Sequence, residues 1–113
     1  MNEIHIAVVG LGHRAVGSWI PLLQKVQGYR IVAICDPIVA LHDQAKAQIN
    51  NPNDVVAYTR YEDVLADDKI DAIALTVRCR EQGRLAAQAL DAGKHVNAEV
   101  PVAHILEDCW RIV

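Results

Sequence analysis

Residues 4–15 read I-H-I-A-V-V-G-L-G-H-R-A, an apolar run that ends in a glycine-rich turn. The run from Ile4 to Val9 is nearly continuous, which is typical of a strand buried on both faces of a parallel sheet. The turn that follows, Gly10 to Ala15, fits the pattern G-x-G-x-x-G/A. A helical pattern comes next, so the stretch predicts a strand–turn–helix unit of the kind that binds dinucleotides.

The small residues of this turn have the spacing that diphosphate binding requires. Gly10 permits a tight turn out of the strand, Gly12 lets the backbone approach a pyrophosphate, and Ala15 lets the helix lie close to the strand. The start of the helix offers unpaired N–H groups and a partial positive charge to phosphate oxygens. The alternative is an ordinary strand-to-helix turn with no ligand.

Composition and charge narrow the class of protein. The chain has 113 residues, 52% hydrophobic and 22% charged, which is the composition of one soluble globular domain. Its net charge of −3 gives no support for nucleic-acid binding. We see no signal peptide and no apolar stretch of membrane-spanning length. The three cysteines Cys35, Cys79 and Cys109 form no C-x-x-C pair, so we expect reduced thiols and a cytoplasmic location.

Apolar and polar patterns predict five strands that alternate with helices. The predicted strands are Ile4–Val9, Arg30–Cys35, Val55–Tyr58, Ile70–Thr76 and His95–Glu99. The predicted helices cover residues 14–26, 38–50, 80–92 and 104–113. A further short helix begins at a Thr59/Glu62 capping box and runs through Leu65. Pro21 predicts a kink near Ile20 in the first helix. This alternation predicts an α/β fold, a doubly wound parallel Rossmann-type sheet of strand order 3-2-1-4-5 with the sixth strand missing.

Asp36 ends the second predicted strand, 21 residues after Ala15. A carboxylate there accepts hydrogen bonds from the adenosine ribose hydroxyls and repels a 2′-phosphate, which predicts NAD over NADP. The alternative is a helix N-cap or turn residue before Pro37. Arg14 could assist either cofactor through the phosphates.

Three segments together resemble a known family. G-L-G-H-R-A at the start, I-C-D-P at the end of strand two, and A-G-K-H-V-N-A-E-V-P over Ala92–Pro101 are similar to the glucose–fructose oxidoreductase/inositol dehydrogenase family (Gfo/Idh/MocA). The resemblance covers essentially the whole chain. It implies that residues 1–113 are the N-terminal dinucleotide-binding domain of an oxidoreductase, with a C-terminal substrate domain absent. That second domain would supply a sugar substrate site and the contacts of a homo-oligomer.

The chain's end agrees with this expectation, because Cys109–Val113 stops in mid-helix without a cap. The alternative is a complete small domain with a frayed last helix.

The resemblance also implies roles for particular residues. The diphosphate would be held by Gly10, Gly12, His13 and Arg14, with Ala15 beneath the turn, and the ribose by Asp36. The nicotinamide side would be lined by Thr76, Val77 and Arg78, and by Glu99 with Pro101. A structural role for Glu99, as an acceptor for backbone N–H groups, is equally open.

Val100 departs from the family pattern, which usually has E-K-P with a lysine that assists proton transfer. Valine carries neither a charge nor a proton, so the catalytic residue is unknown. E-V-P, together with Glu107–Trp110, resembles the branch that includes NAD-dependent α-N-acetylgalactosaminidases, which hydrolyse glycosides through transient oxidation on bound NAD.

A second departure is Thr76–Arg80, where Arg78 and Arg80 could bind an anion; a solvated loop is the simpler interpretation.

The remaining reactive side chains give weaker signals. Cys79 has no visible partner base, so a nucleophile is not expected there. The five histidines lack metal-ligand spacing, and we expect no metal site. We therefore expect an NAD-binding domain of a sugar oxidoreductase that is inactive alone. The alternatives are an NAD-dependent glycosidase and a cofactor-free assembly module.

Overall fold

The computed structural model describes residues 3–77 and 79–113. Its strands are β1 (Ile4–Val9), β2 (Tyr29–Cys35), β3 (Val56–Tyr58), β4 (Ala72–Leu75) and β5 (His95–Ala98). Its α-helices are α1 (Ile20–Lys25), α2 (Ala40–Lys46), α3 (Tyr61–Ala66), α4 (Cys79–Asp91) and α5 (Leu106–Ile112). A π-helical turn, Ala15–Trp19, precedes α1, and a short 3-10 turn, Pro52–Asp54, precedes β3.

The five strands form one parallel sheet in the order β3-β2-β1-β4-β5, which confirms the predicted Rossmann-type topology. The central strand β1 pairs with β2 on one side and with β4 on the other. In a parallel sheet the carboxyl ends of all strands meet at one edge. That edge therefore brings together the segments that follow β1, β2, β3, β4 and β5.

Both faces of the sheet are covered, as the apolar run in β1 predicts. Ile6 and Val8 belong to a buried cluster on one face, and Ala7 and Val9 to a second cluster on the other. Alternate residues of a strand face opposite sides, so a strand that is buried on both sides must be apolar throughout.

The first helix differs from a regular α-helix around Pro21. The backbone N–H of Ile20 donates to the carbonyl of Ala15, five residues earlier, which is a π-type bond. Proline has no N–H to continue the ladder, and it lies in the first turn of the regular segment α1. The kink predicted near Ile20 is thus a change from π to α geometry.

Several predicted boundaries were wrong. The Thr59/Glu62 capping box does not form: Arg60 occupies the N-cap position of α3, without a capping side-chain hydrogen bond. The second helix is Ala40–Lys46 rather than 38–50, and the last is Leu106–Ile112 rather than 104–113. Turn bonds from Gln48 to Ala45 and from Ile49 to Lys46 tighten the end of α2.

Helices α4 and α5 pack closely at Gly83. A Cβ atom at this position would lie 2.8 Å from Cβ of Ala103 and 3.0 Å from Cβ of Asp108. Glycine therefore sets the distance between α4 and the segment that leads into α5. Within the described residues, no helix has the length and apolarity needed to cross a membrane.

Candidate functional site

The glycine turn after β1 has the conformation that its sequence predicts. Gly10 has a φ of +90°, and a Cβ there would lie 2.8 Å from the carbonyl oxygen of Thr76. Its N–H donates to the carbonyl of Cys35 at 2.8 Å, and its own carbonyl accepts from Oγ1 of Thr76 at 2.5 Å. The first glycine is thus required by both its backbone angle and its neighbours.

Gly12 differs from Gly10, because no neighbouring protein atom stands where its Cβ would be. A Cβ built on Gly12 meets no atom within 4 Å, so the space above it is open. The first helical hydrogen bond runs from the N–H of Val16 to the carbonyl of Gly12, at 3.1 Å. The N–H groups of Gly12, His13 and Arg14 precede this bond and are the ones that a helix start presents to an anion. Open space beside these donors fits a diphosphate.

The side chain of Asp36 lies beside this turn and is 9% exposed. Oδ2 accepts from the N–H of Leu11 at 3.0 Å, and Oδ1 accepts from the N–H of Ile38 at 2.8 Å. Asp36 therefore links the end of β2 to the glycine turn. Each carboxylate oxygen has a further lone pair, so a ribose hydroxyl can still donate to it.

His42 fixes the backbone of Asp36. Its Nε2 lies 2.8 Å from the carbonyl oxygen of Asp36, and the imidazole is buried. A carbonyl can only accept, so Nε2 carries the proton in this hydrogen bond.

A cleft of about 710 Å³ runs along the carboxyl edge of the sheet. Volumes of this order are usual for small-molecule sites. Five of the predicted cofactor-binding residues line it together: Gly10, Gly12, Asp36, Thr76 and Val77. The structure adds residues that follow β3 and residues of α4, namely Thr59, Arg60, Tyr61, Glu62, Glu81, Arg84, Leu85 and Gln88.

Cys35 and Tyr61 also line this cleft, but neither is a reactive group. Burial, with a smaller contribution from the carboxylate of Asp36, raises the pKa of the Cys35 thiol to about 12. Burial likewise raises the pKa of Tyr61, whose hydroxyl donates to the carbonyl of Leu85 at 2.6 Å. Both groups stay neutral at physiological pH and act as walls of the cleft.

Arg14 and Glu99 form a separate pair, outside the residues that line the cleft. Nε of Arg14 donates to Oε1 of Glu99 at 2.8 Å, and the side chains are 66% and 22% exposed. The indole Nε1 of Trp19 donates to the same oxygen at 2.5 Å. The Trp19 hydrogen bond, followed by that of Arg14, holds the pKa of Glu99 below its usual range. Glu99 is therefore an ionised acceptor.

The segment after Glu99 is held by Gln82, which is fully buried in α4. Its amide nitrogen donates to the carbonyl of Glu99 and, at 3.3 Å, to that of Pro101. The peptide bond between Val100 and Pro101 is cis, and the Val100 side chain is 84% exposed. This segment follows β5 at the same sheet edge as the cleft.

The other predicted site residues occupy varied places. His13 is exposed at the helix start, and Ala15 is fully buried beneath the turn. Arg78 and the side chain of Cys79 lie outside the described residues, so the anion site and the nucleophile considered there are not tested. Among the described residues, no group of three His, Cys, Asp or Glu side chains could hold a metal ion.

Sequence reasoning missed two groups of residues. Thr59 to Glu62 could have been found, because residues that follow a parallel strand lie at the carboxyl edge. Nothing in the sequence indicates that Trp19 and Gln82 contact Glu99, because these hydrogen bonds join residues that are 80 and 17 positions apart.

Comparison with known proteins agrees with this geometry. The sequence profile of the Gfo/Idh/MocA oxidoreductase family, described as an NAD-binding Rossmann fold, matches residues 4–113. Among curated proteins, a glycosyl hydrolase family 109 protein of Shewanella sp. (strain W3-18-1) is 32% identical over 120 residues. The match covers 100% of this chain and 26% of that protein, so the chain spans a minor part of the relative's length.

Solved structures share the architecture. Apo scyllo-inositol dehydrogenase from Lactobacillus casei matches with a TM-score of 0.82 and 25% identity, over 98% of this chain and 32% of that chain. KijD10, a 3-ketoreductase from Actinomadura kijaniata in complex with NADP, matches with a TM-score of 0.83 and 25% identity, over 98% and 34% of the two chains.

Proposed function

The chain belongs to the Gfo/Idh/MocA oxidoreductase family, as an NAD-binding Rossmann domain, and from this we propose that its protein transfers hydride between a nicotinamide cofactor and a sugar or sugar derivative. The observation that carries the proposal is the open space above Gly12, beside the helix start and in the same cleft as the carboxylate of Asp36. An ordinary strand-to-helix turn has no need of this combination.

The proposed cofactor site divides into three parts. Gly10, Gly12, His13, Arg14 and Ala15 form the diphosphate part, and Asp36 is the acceptor for the ribose. The nicotinamide part is assigned to the ends of β4 and β5, with the residues Thr76, Val77, Arg78, Glu99 and Pro101. This assignment is supported by Thr76 and Val77, which line the same cleft as Gly12 and Asp36.

Bound nicotinamide supplies the redox chemistry, while the chain supplies binding and orientation. Val100 cannot move a proton, so the base belongs to a further, C-terminal domain that binds the substrate. The matched proteins are longer than this chain, which covers 26% to 34% of them and supports such a domain. By itself this chain binds cofactor and turns over nothing, and the second domain provides the contacts of a homo-oligomer.

We place the protein in the cytoplasm. Cys35 and Cys109 are free thiols, and Cys35 is buried. Unpaired cysteines are typical of a reducing compartment.

NAD is the proposed cofactor, in preference to NADP. The carboxylate of Asp36 lines the cleft, and it would repel a 2′-phosphate on the ribose. Calorimetric titration of the chain is expected to show NAD+ binding at least about tenfold tighter than NADP+ binding. In the variant Asp36→Asn, which removes the charge at similar shape, the two affinities should come within about threefold of each other.

Asp43→Asn is the matched control, because it removes the same charge from an exposed position of α2. It should leave the preference for NAD+ unchanged. Equal binding of both dinucleotides by the wild-type chain would contradict the role of Asp36, and no binding of either would contradict the proposed function.

A second candidate is a glycosidase that uses NAD catalytically. It is favoured by Val100 in place of a lysine, and by the similarity to a glycosyl hydrolase family 109 protein. The whole protein would then release sugar from an N-acetylgalactosaminide without net accumulation of NADH. Steady NADH production from a free sugar would instead identify a dehydrogenase.

A further inference from the structure

The carboxylate of Glu99 receives two hydrogen bonds from the helical segment that follows the glycine turn. Arg14 Nε and Trp19 Nε1 both donate to Oε1, at 2.8 and 2.5 Å. Glu99 itself lies 80 residues after Trp19 in the sequence, directly after β5. These three side chains join the segment after the glycine turn to the edge strand β5, which lies two strands away from β1 in the sheet.

Trp19 is the fixed member of this trio. Its ring is half-buried and packs against the core cluster that contains Ile6 and Val8. It is the last residue of the π-helical turn Ala15–Trp19. An aromatic ring anchored in the core holds its N–H donor in one place, and so it fixes Oε1 of Glu99.

Arg14 is the exposed member of the trio. Its side chain is 66% exposed, and an exposed ion pair contributes little where both side chains must be ordered to form it. Here Trp19 already holds one of the two, the carboxylate of Glu99. Only its Nε contacts Glu99 among the described hydrogen bonds, whereas a guanidinium carries five N–H donors. The outer N–H groups remain able to meet an anion, and Arg14 lies two residues after the open space at Gly12.

We propose that Trp19 and Glu99 are positioning residues that hold Arg14 ready to contact the diphosphate of the dinucleotide. Glu99 then acts on the diphosphate through Arg14, in addition to its place in the nicotinamide part of the proposed site. Because the side chain is ordered before the ligand arrives, binding costs less conformational entropy. The inference rests on the proposed function, and it gives Trp19 and Glu99 a role in diphosphate binding that they exert through Arg14.

A double-mutant cycle on NAD+ affinity tests this coupling. Trp19→Phe removes the N–H donor but keeps an aromatic ring, and Arg14→Ala removes the guanidinium. By calorimetry on the whole chain, Trp19→Phe should weaken NAD+ binding by about three- to tenfold when Arg14 is present. The same change should cost less than about twofold in the Arg14→Ala background.

Trp110→Phe is the matched control, since Trp110 is 71% exposed in α5 and should not change the affinity. Equal losses from Trp19→Phe in both backgrounds would show that Trp19 only supports the fold, and would overturn the inference. So would an unchanged affinity in Trp19→Phe. A wild-type chain that binds no NAD+ would refute the proposed function, and the inference with it.

Discussion

Gly10→Ala should mainly destabilise the fold, whereas Gly12→Ala should mainly weaken cofactor binding, although the two glycines are only two residues apart. At Gly10 an alanine must adopt a φ near +90°, at a cost of about 1–2 kcal/mol, and its Cβ would lie 2.8 Å from the carbonyl oxygen of Thr76. Relieving that overlap costs a further 1–3 kcal/mol or so. We therefore expect Gly10→Ala to lower the free energy of unfolding by about 2–5 kcal/mol.

At Gly12 the added Cβ meets no protein atom within 4 Å, so Gly12→Ala should change the free energy of unfolding by less than about 0.5 kcal/mol. The same methyl group occupies the space through which the backbone approaches a diphosphate. NAD+ affinity should fall at least about tenfold, or 1.4 kcal/mol.

Two measurements on each variant separate these effects: urea unfolding for stability and calorimetric titration with NAD+ for binding. Wild-type NAD+ affinity in Gly12→Ala would refute the diphosphate assignment. Wild-type stability in Gly10→Ala would refute the geometry of the turn.

Two further changes test the packing and the electrostatics of the fold. Gly83→Ala places a Cβ 2.8 Å from that of Ala103, so it should lower the free energy of unfolding by about 1–3 kcal/mol in urea titration; unchanged stability would contradict the close packing of α4 and α5. The hydroxyl of Tyr58 donates to the carboxylate of Asp67 at 2.7 Å and holds the pKa of Asp67 below its ordinary value. The hydrogen bond therefore stabilises the fold above the unfolded-state pKa of Asp67, and this stabilisation is lost as the pH falls through the folded-state pKa. Tyr58→Phe should therefore lower stability at pH 7 by about 1 kcal/mol and lessen the loss of stability in acid, and an unchanged pH dependence would contradict it.

The sheet was predictable because its signals are local and strong. The apolar runs of β1 and β2 are long enough to identify buried strands, and the turn at Gly10 needs the positive φ that its sequence suggests. Strand order then followed from the handedness of crossovers and the place of the glycine turn.

Boundaries and side-chain partners were less predictable. Thr59 and Glu62 have capping-box spacing, yet α3 begins only after Arg60, because the chain leaves β3 in extended geometry through Arg60. The position of Asp36 was predicted, but its bonds to the N–H groups of Leu11 and Ile38 depend on how the turn folds back on β2. No local pattern encodes the contact between Trp19 and Glu99, because the two residues lie 80 positions apart in the sequence.

The most direct test of the central claim is to map NAD+ binding on the backbone amides by two-dimensional ¹H–¹⁵N NMR. We predict that the largest, saturable shifts fall on the turn from Leu11 to Arg14 and on Asp36, at the carboxyl edge of the sheet. A second cleft of about 320 Å³, lined by Gln24, Arg30 and Asn50 among others, provides the comparison. Shifts centred on that cleft, or no saturable shifts in a folded chain, would contradict the account.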